Sequence, residues 1–93
     1  MILETVKREL RVKNTAFDSE IQSLIDASLL DLQIPQIARN KITESDPLIK
    51  RAIILYCKAN FGLENPDSEK YQKAYDNLAQ KLSLSLMYKD VSV

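Results

Sequence analysis

Four stretches of the chain space their apolar residues three and four apart, the pattern of a helix with one buried face. The first, Ile2 to Val12, sets Ile2, Leu3, Val6 and Leu10 on one side and pairs Glu4 with Arg8 outside. The second begins where Thr15 and Asp18 offer capping side chains and continues through an acidic first turn, Asp18 and Glu20. Its stripe is Ile21, Leu24, Ile25, Leu29 and Leu32 with Ser28 in line, it stops before Pro35, and Leu30 points away from it. The third is bounded at both ends. Asp46 can cap it, Pro47 suits the first helical position because its missing N–H had no intrahelical partner, and Gly62 can close it with positive φ. The fourth opens at Asn65-Pro66-Asp67, carries Tyr71, Ala74, Tyr75, Leu78, Ala79 and Leu82, pairs Glu69 with Lys73 outside, and is expected to end near Leu82.

Between the second and third stretches the period is lost. The segment from Ile34 to Ser45 spans about 12 residues, long for a helix–helix connection, where about 2 to 8 are usual. It carries Ile34, Ile37 and Ile42, more apolar groups than a solvated loop needs, so either they tuck beneath the helices or a partner covers them. Ile37, Arg39, Lys41 and Ile42 make this loop a candidate for ordering on a partner. The tail from Ser83 alternates as Ser83-Leu84-Ser85-Leu86, which suits a short strand, although Leu82 and Leu86 also fit one more helical turn. The expected fold is all-α: a single domain over residues 1–93, a small bundle of about four helices with a long loop between the second and third and a short C-terminal tail over about 83–93 suited to a strand, to flexibility or to ordering on a partner.

The third helix is apolar nearly all round. At about 100° per residue, Leu48, Ala52, Leu55, Tyr56 and Ala59 form one face, widened by Ile49, Ile53 and Cys57. Ile54 and Phe61 lie on the far side of Lys50, leaving a narrow polar strip at Arg51 and Lys58. Such a helix is buried on most sides, and three partner helices, one of them short, are few for that task. Cover for Ile54 and Phe61 comes either from a neighbouring subunit or from the loop and tail, and both stay open at this level. Leu30, Ile54, Phe61, Arg51 and Lys58 are the candidate assembly surface.

Composition narrows the function classes. One glycine and three prolines among 93 residues are too few for the turns of a β-fold. Lys and Arg total 13 and Asp and Glu total 13, so net charge favours neither nucleic acid nor an anionic membrane. The lone Cys57 excludes an internal disulfide and sits in an apolar run as a small buried hydrophobe, fitting synthesis in a reducing compartment. No signal-peptide pattern opens the chain, and no apolar run reaches the roughly 18 residues that span a bilayer.

The absence of histidine removes Ser-His and Cys-His machinery and His-ligated metals, and a single glycine forbids GxxxxGK[ST] and GxGxxG loops. The carboxylate pairs Asp26 with Asp31 and Asp67 with Glu69 lie on polar helix sides, where charges are ordinarily solvated. Tyr56, Tyr71 and Tyr75 fall at core spacing, which suits packing better than stacking on a base. Arg51 and Lys58, with Arg39 and Lys41 in reach, can touch phosphates, but snorkelling or pairing between subunits suits them better. No catalytic residue, cofactor or metal is expected, and the protein is expected not to be an enzyme.

The run Asp46-Pro47-Leu48-Ile49-Lys50-Arg51-Ala52-Ile53-Ile54-Leu55-Tyr56-Cys57-Lys58-Ala59-Asn60-Phe61-Gly62, followed by Asn65-Pro66, resembles the head-tail connector family of tailed phages, whose members are called adaptor, DNA packaging or head completion proteins. Val6-Lys7-Arg8 to Val12, Phe17-Asp18-Ser19-Glu20-Ile21 to Asp26-Ala27, and Tyr71 through Ser85 are similar to it as well, so the resemblance covers nearly the whole chain; the loop from Ile34 to Ser45 carries least of it. It implies a virion protein made in the cytoplasm of the bacterial host: a ring of about a dozen subunits under the portal, bridging to a stopper or the next connector protein and leaving a channel through which packaged DNA passes without sequence-specific binding. A ring needs two different surfaces on each subunit, and near-zero net charge suits a conduit in which DNA slides. The alternative is a small helical nucleic-acid-binding regulator, against which stands the lack of a basic stripe beside a polar recognition face.

Overall fold

The four predicted helices are present as α1 (Ile2–Leu10), α2 (Asp18–Asp31), α3 (Pro47–Asn60) and α4 (Ser68–Leu84), with a short 3₁₀ turn at Arg39–Lys41 between α2 and α3. The structure, a computed structural model, describes residues 2–33, 37, 39–62 and 66–85, and among these there is no strand ladder.

Both ends of α3 and the end of α1 are set by local contacts. The Asp46 carboxylate accepts the Leu48 N–H at 2.8 Å and the Ile49 N–H at 3.2 Å, giving two orphan donors of α3 a partner beside Pro47. At its other end the Phe61 N–H reaches the Cys57 carbonyl at 2.9 Å, and Gly62 turns the chain away at φ +87°. α1 closes with a paired lock: the Val12 N–H donates to the Lys7 carbonyl at 2.9 Å and the Arg11 N–H to the Arg8 carbonyl at 3.1 Å, with Arg11 left-handed at φ 62°. α2 begins without the expected cap. Phe17 occupies that position, while the Asn14 side chain accepts the Ala16 N–H at 3.0 Å and bends the approach.

α3 is the hub, packing on α1, α2 and α4. Phe17 at the start of α2 meets Phe61 after the end of α3, so these two helices are antiparallel; Tyr56 meets Tyr75 and Lys58 meets Tyr71, so α3 and α4 are antiparallel too. The core takes Ile2 and Val6 from α1, Ile21, Ile25 and Ser28 from α2, Tyr75, Ala79 and Leu82 from α4, and six residues of α3. Ser28 is fully buried with its hydroxyl satisfied by the Ile25 carbonyl at 2.7 Å, a small side chain where α2 comes close to its neighbours.

Two expectations are corrected and one open alternative is decided. Ile54 is only 5% exposed, so the chain's own elements cover the second apolar side of α3 at this residue, in a cluster to which α1, α2, α4 and the loop residues Ile37 and Ile42 all contribute. Leu48, assigned to the core face, is exposed, because the first turn of α3 stands at the end of the bundle. Of the two readings of the tail, a short strand or a further helical turn, the start of the tail takes the second: Ser83 and Leu84 are the last residues of α4, since a helix already carrying Leu82 into the core continues more cheaply than it unwinds; residues 86–93 lie outside the described residues.

Candidate assembly surface

The candidate residues do not form one patch. Leu30 is 67% exposed near the C-terminal end of α2, whereas Phe61 sits beside the start of that helix. About 13 residues at about 1.5 Å each put them roughly 20 Å apart along the α2 axis. Ile54 lies inside the core between them.

Phe61 is half-buried and meets Phe17 edge to face, with ring centroids 5.6 Å apart at 88°, a favourable quadrupole arrangement. Phe17 is 44% exposed. The two rings with Glu20, Asn60 and Gly62 line a groove of ≈ 580 Å³, and on the other side of Phe61 a hollow is lined by Glu9, Leu10, Arg11, Lys58 and Tyr71. Arg11 also borders a corner where Lys7, Arg8 and Lys13 outnumber Glu4.

Arg51 and Lys58 point to α1. Both approach the Glu9 carboxylate, at 4.0 Å and 3.7 Å, and the Lys58 ammonium lies 5.3 Å from the centre of the Tyr71 ring. The pairing considered between subunits is therefore made within the chain, where Glu9 is the next-to-last residue of α1. The loop residues divide likewise. Ile37 is buried and Ile42 packs on the core, so both tuck beneath the helices; Lys41 is exposed and Arg39 opens the 3₁₀ turn. Ile34 lies outside the described residues.

Two polar contacts were not foreseen. The Tyr75 hydroxyl donates to the Asp31 carboxylate at 2.6 Å, tying α4 to the end of α2, although Asp31 had been placed on a solvated side. Burial pushes the Tyr75 phenol far up, helped by this hydrogen bond to a carboxylate, and pushes up Tyr56 as well, helped by the charge of Asp31. Lys7 is buried with its ammonium 2.7 Å from Asp18 Oδ1; that oxygen is itself buried and accepts no directed hydrogen bond among the described residues, so the ammonium is its compensation. The signal for Lys7 was its place one residue after Val6, on the edge of the apolar stripe. Burial alone pushes the Cys57 thiol up to about 12, which suits an unreactive core residue.

Among the described residues no three His, Cys, Asp or Glu side chains cluster as metal ligands, and no helix is long and apolar enough to cross a membrane. The exposed apolar groups fall at two ends. Phe17 and Phe61 share one; Leu30, Leu48 and Leu84, the last 73% exposed, belong to helix termini at the other.

Fold and surface thus define a small all-α bundle with apolar contact groups divided between its two ends. The chain matches the family described as Phage connector protein over residues 2–89, nearly its full length, and it belongs to that family. No curated protein and no solved structure matches it.

Proposed function

We propose that this connector protein is a non-enzymatic virion subunit that assembles with copies of itself into a ring-shaped adaptor between the portal and the stopper or tail, acting in head completion after DNA packaging. The membership in the phage connector family carries this reading. The division of exposed apolar groups between two ends supports it, because a ring subunit must offer different surfaces to its two neighbours and further surfaces to the rings above and below. Its partners are then the portal protein, a stopper or next connector, and DNA threading the channel without sequence-specific binding.

The test is to incubate the purified chain with portal-bearing heads and weigh the complexes by native mass spectrometry, with electron microscopy of the portal vertex. Stoichiometric addition of several copies at that vertex is expected. A chain that ignores portal and instead shifts duplex DNA in a salt-dependent manner would favour the nucleic-acid-binding regulator.

A further inference from the structure

The fold sorts charge in a way the balanced total conceals. From residue 14 to residue 38 the chain has four carboxylates and not one Lys or Arg, while Lys7, Arg8, Arg11 and Lys13 crowd the end of α1 and the turn after it. Within the chain Lys7 engages Asp18, and Asp31 takes the Tyr75 hydroxyl. Among the described residues no ion pair engages Arg8, Arg11, Lys13, Glu20 or Asp26. Asp26 and Leu30 are one helical turn apart on the outward face of α2, opposite buried Ile21, Ile25 and Ser28.

Arg11 adds an independent observation. Its φ of 62° is the left-handed conformation that closes α1, a position that glycine occupies with no steric cost and that crowds the Cβ of an L side chain. A strained arginine at the rim of an aromatic hollow signals use of its side chain. That hollow contains Phe61, and Phe61 leads directly to the Phe17 groove.

We propose that the outward face of α2, centred on Asp26 and Leu30, docks on a second copy of this chain at the surface formed by Arg11, Lys13 and the Phe17–Phe61 groove. The inference rests on the reading that the chain assembles with itself. Charge favours the head-to-tail arrangement: a two-fold contact would set the outward face of α2 against its own image, Asp26 facing Asp26, whereas Arg11 and Lys13, beside a groove that also holds Glu20, supply the opposite charge and the Phe17 and Phe61 rings an apolar seat for Leu30. The two surfaces lie at opposite ends of α2, so no copy can satisfy itself and each leaves one of each kind for the next.

Sedimentation velocity and native mass spectrometry of the full chain up to about 1 mM, where a contact of only about −4 kcal/mol is half formed, test this. Wild type is expected to associate beyond a dimer. Leu30→Asp and Arg11→Glu should each weaken association about tenfold or more, and their equimolar mixture should stop at a species of two chains, since each variant keeps one intact surface. Arg11→Gly should raise Tm while weakening association, a divergence that a purely structural role for Arg11 cannot produce. A chain that is monomeric at about 1 mM overturns the proposal, as does a mixture that fails to pair. Oligomers that survive Leu30→Asp and Arg11→Glu overturn it too, and leave self-assembly itself standing.

Discussion

Truncating Ile54 and Leu30 separately to alanine asks the folded chain which of two leucine-sized groups belongs to its own core. Ile54 is 5% exposed in the cluster that α3 forms with the other helices, so Ile54→Ala removes buried carbon and leaves a void that close-packed neighbours fill only in part. Transfer of the lost groups at about 0.8 kcal/mol per methylene, plus a cavity contribution, gives a loss of about 3 kcal/mol. For a domain of this size that lowers Tm by about 12 to 24 °C. Leu30 is 67% exposed, and Leu30→Ala should stay within about 0.5 kcal/mol of wild type. Urea unfolding followed by circular dichroism, at a concentration where the chain is monomeric, measures both. An Ile54→Ala loss below about 0.5 kcal/mol would refute the assignment, because only a group that the isolated chain leaves uncovered is so cheap to remove. For the same reason Ile54→Asp reports on folding and not on assembly.

Other expectations follow from the polar contacts. Tyr75→Phe removes a hydrogen bond to a carboxylate and should cost about 1.5 to 3 kcal/mol, read as a lower urea midpoint with an unchanged slope. Asp46→Ala deprives Leu48 and Ile49 of their acceptor and should cost about 1 kcal/mol, whereas Asp46→Asn, which can still accept, should cost only a fraction of it. Stability should also fall in alkali. The folded Cys57 thiol holds its proton to about 12 and the unfolded one releases it near 9.0, so the folded state retains its full stability below pH 9.0 and loses it as pH rises towards 12. One such proton is worth about 1.4 kcal/mol per pH unit, and Tyr75, shifted in the same direction, adds to the slope from about pH 10. Urea midpoints in reductant between pH 8 and 11 should decline less steeply for Cys57→Ala; parallel declines would remove Cys57 as a cause.

The helices were legible because their signals are local. Asp46 with Pro47 announces the start of α3, and the stripes of α2 and α4 place Ile21, Ile25, Tyr75, Ala79 and Leu82 where the structure buries them. What was hidden depends on neighbours. Nothing in the order of residues around Ile54 says that nine-residue α1 lies against α3 and shares one core with it. Nor does the spacing of Asp31 tell that a phenol 44 positions later reaches it. The assembly candidates suffered most: Leu30 was picked out because exposure of a residue off the stripe is a local fact, while Phe17, between turn and helix, belongs to no stripe and became visible only beside Phe61. The sorting of charge was present in the residues throughout, masked by a net sum of zero.

The Tyr75 phenol also acts as an angular stop. Apolar contacts of Tyr71, Ala74 and Leu78 with the core are soft toward slippage, since neighbouring settings of α4 present similar greasy area. A slip by one residue turns a helix by about 100° and shifts it by about 1.5 Å. Either displacement takes the Tyr75 hydroxyl from the Asp31 carboxylate and strands it inside the bundle, at a cost of about 1 to 3 kcal/mol. One hydrogen bond thereby converts a helix that is merely held into one that is indexed, and it fixes the direction in which exposed Leu84, more than two turns farther along, is offered to whatever lies beyond the end of the bundle.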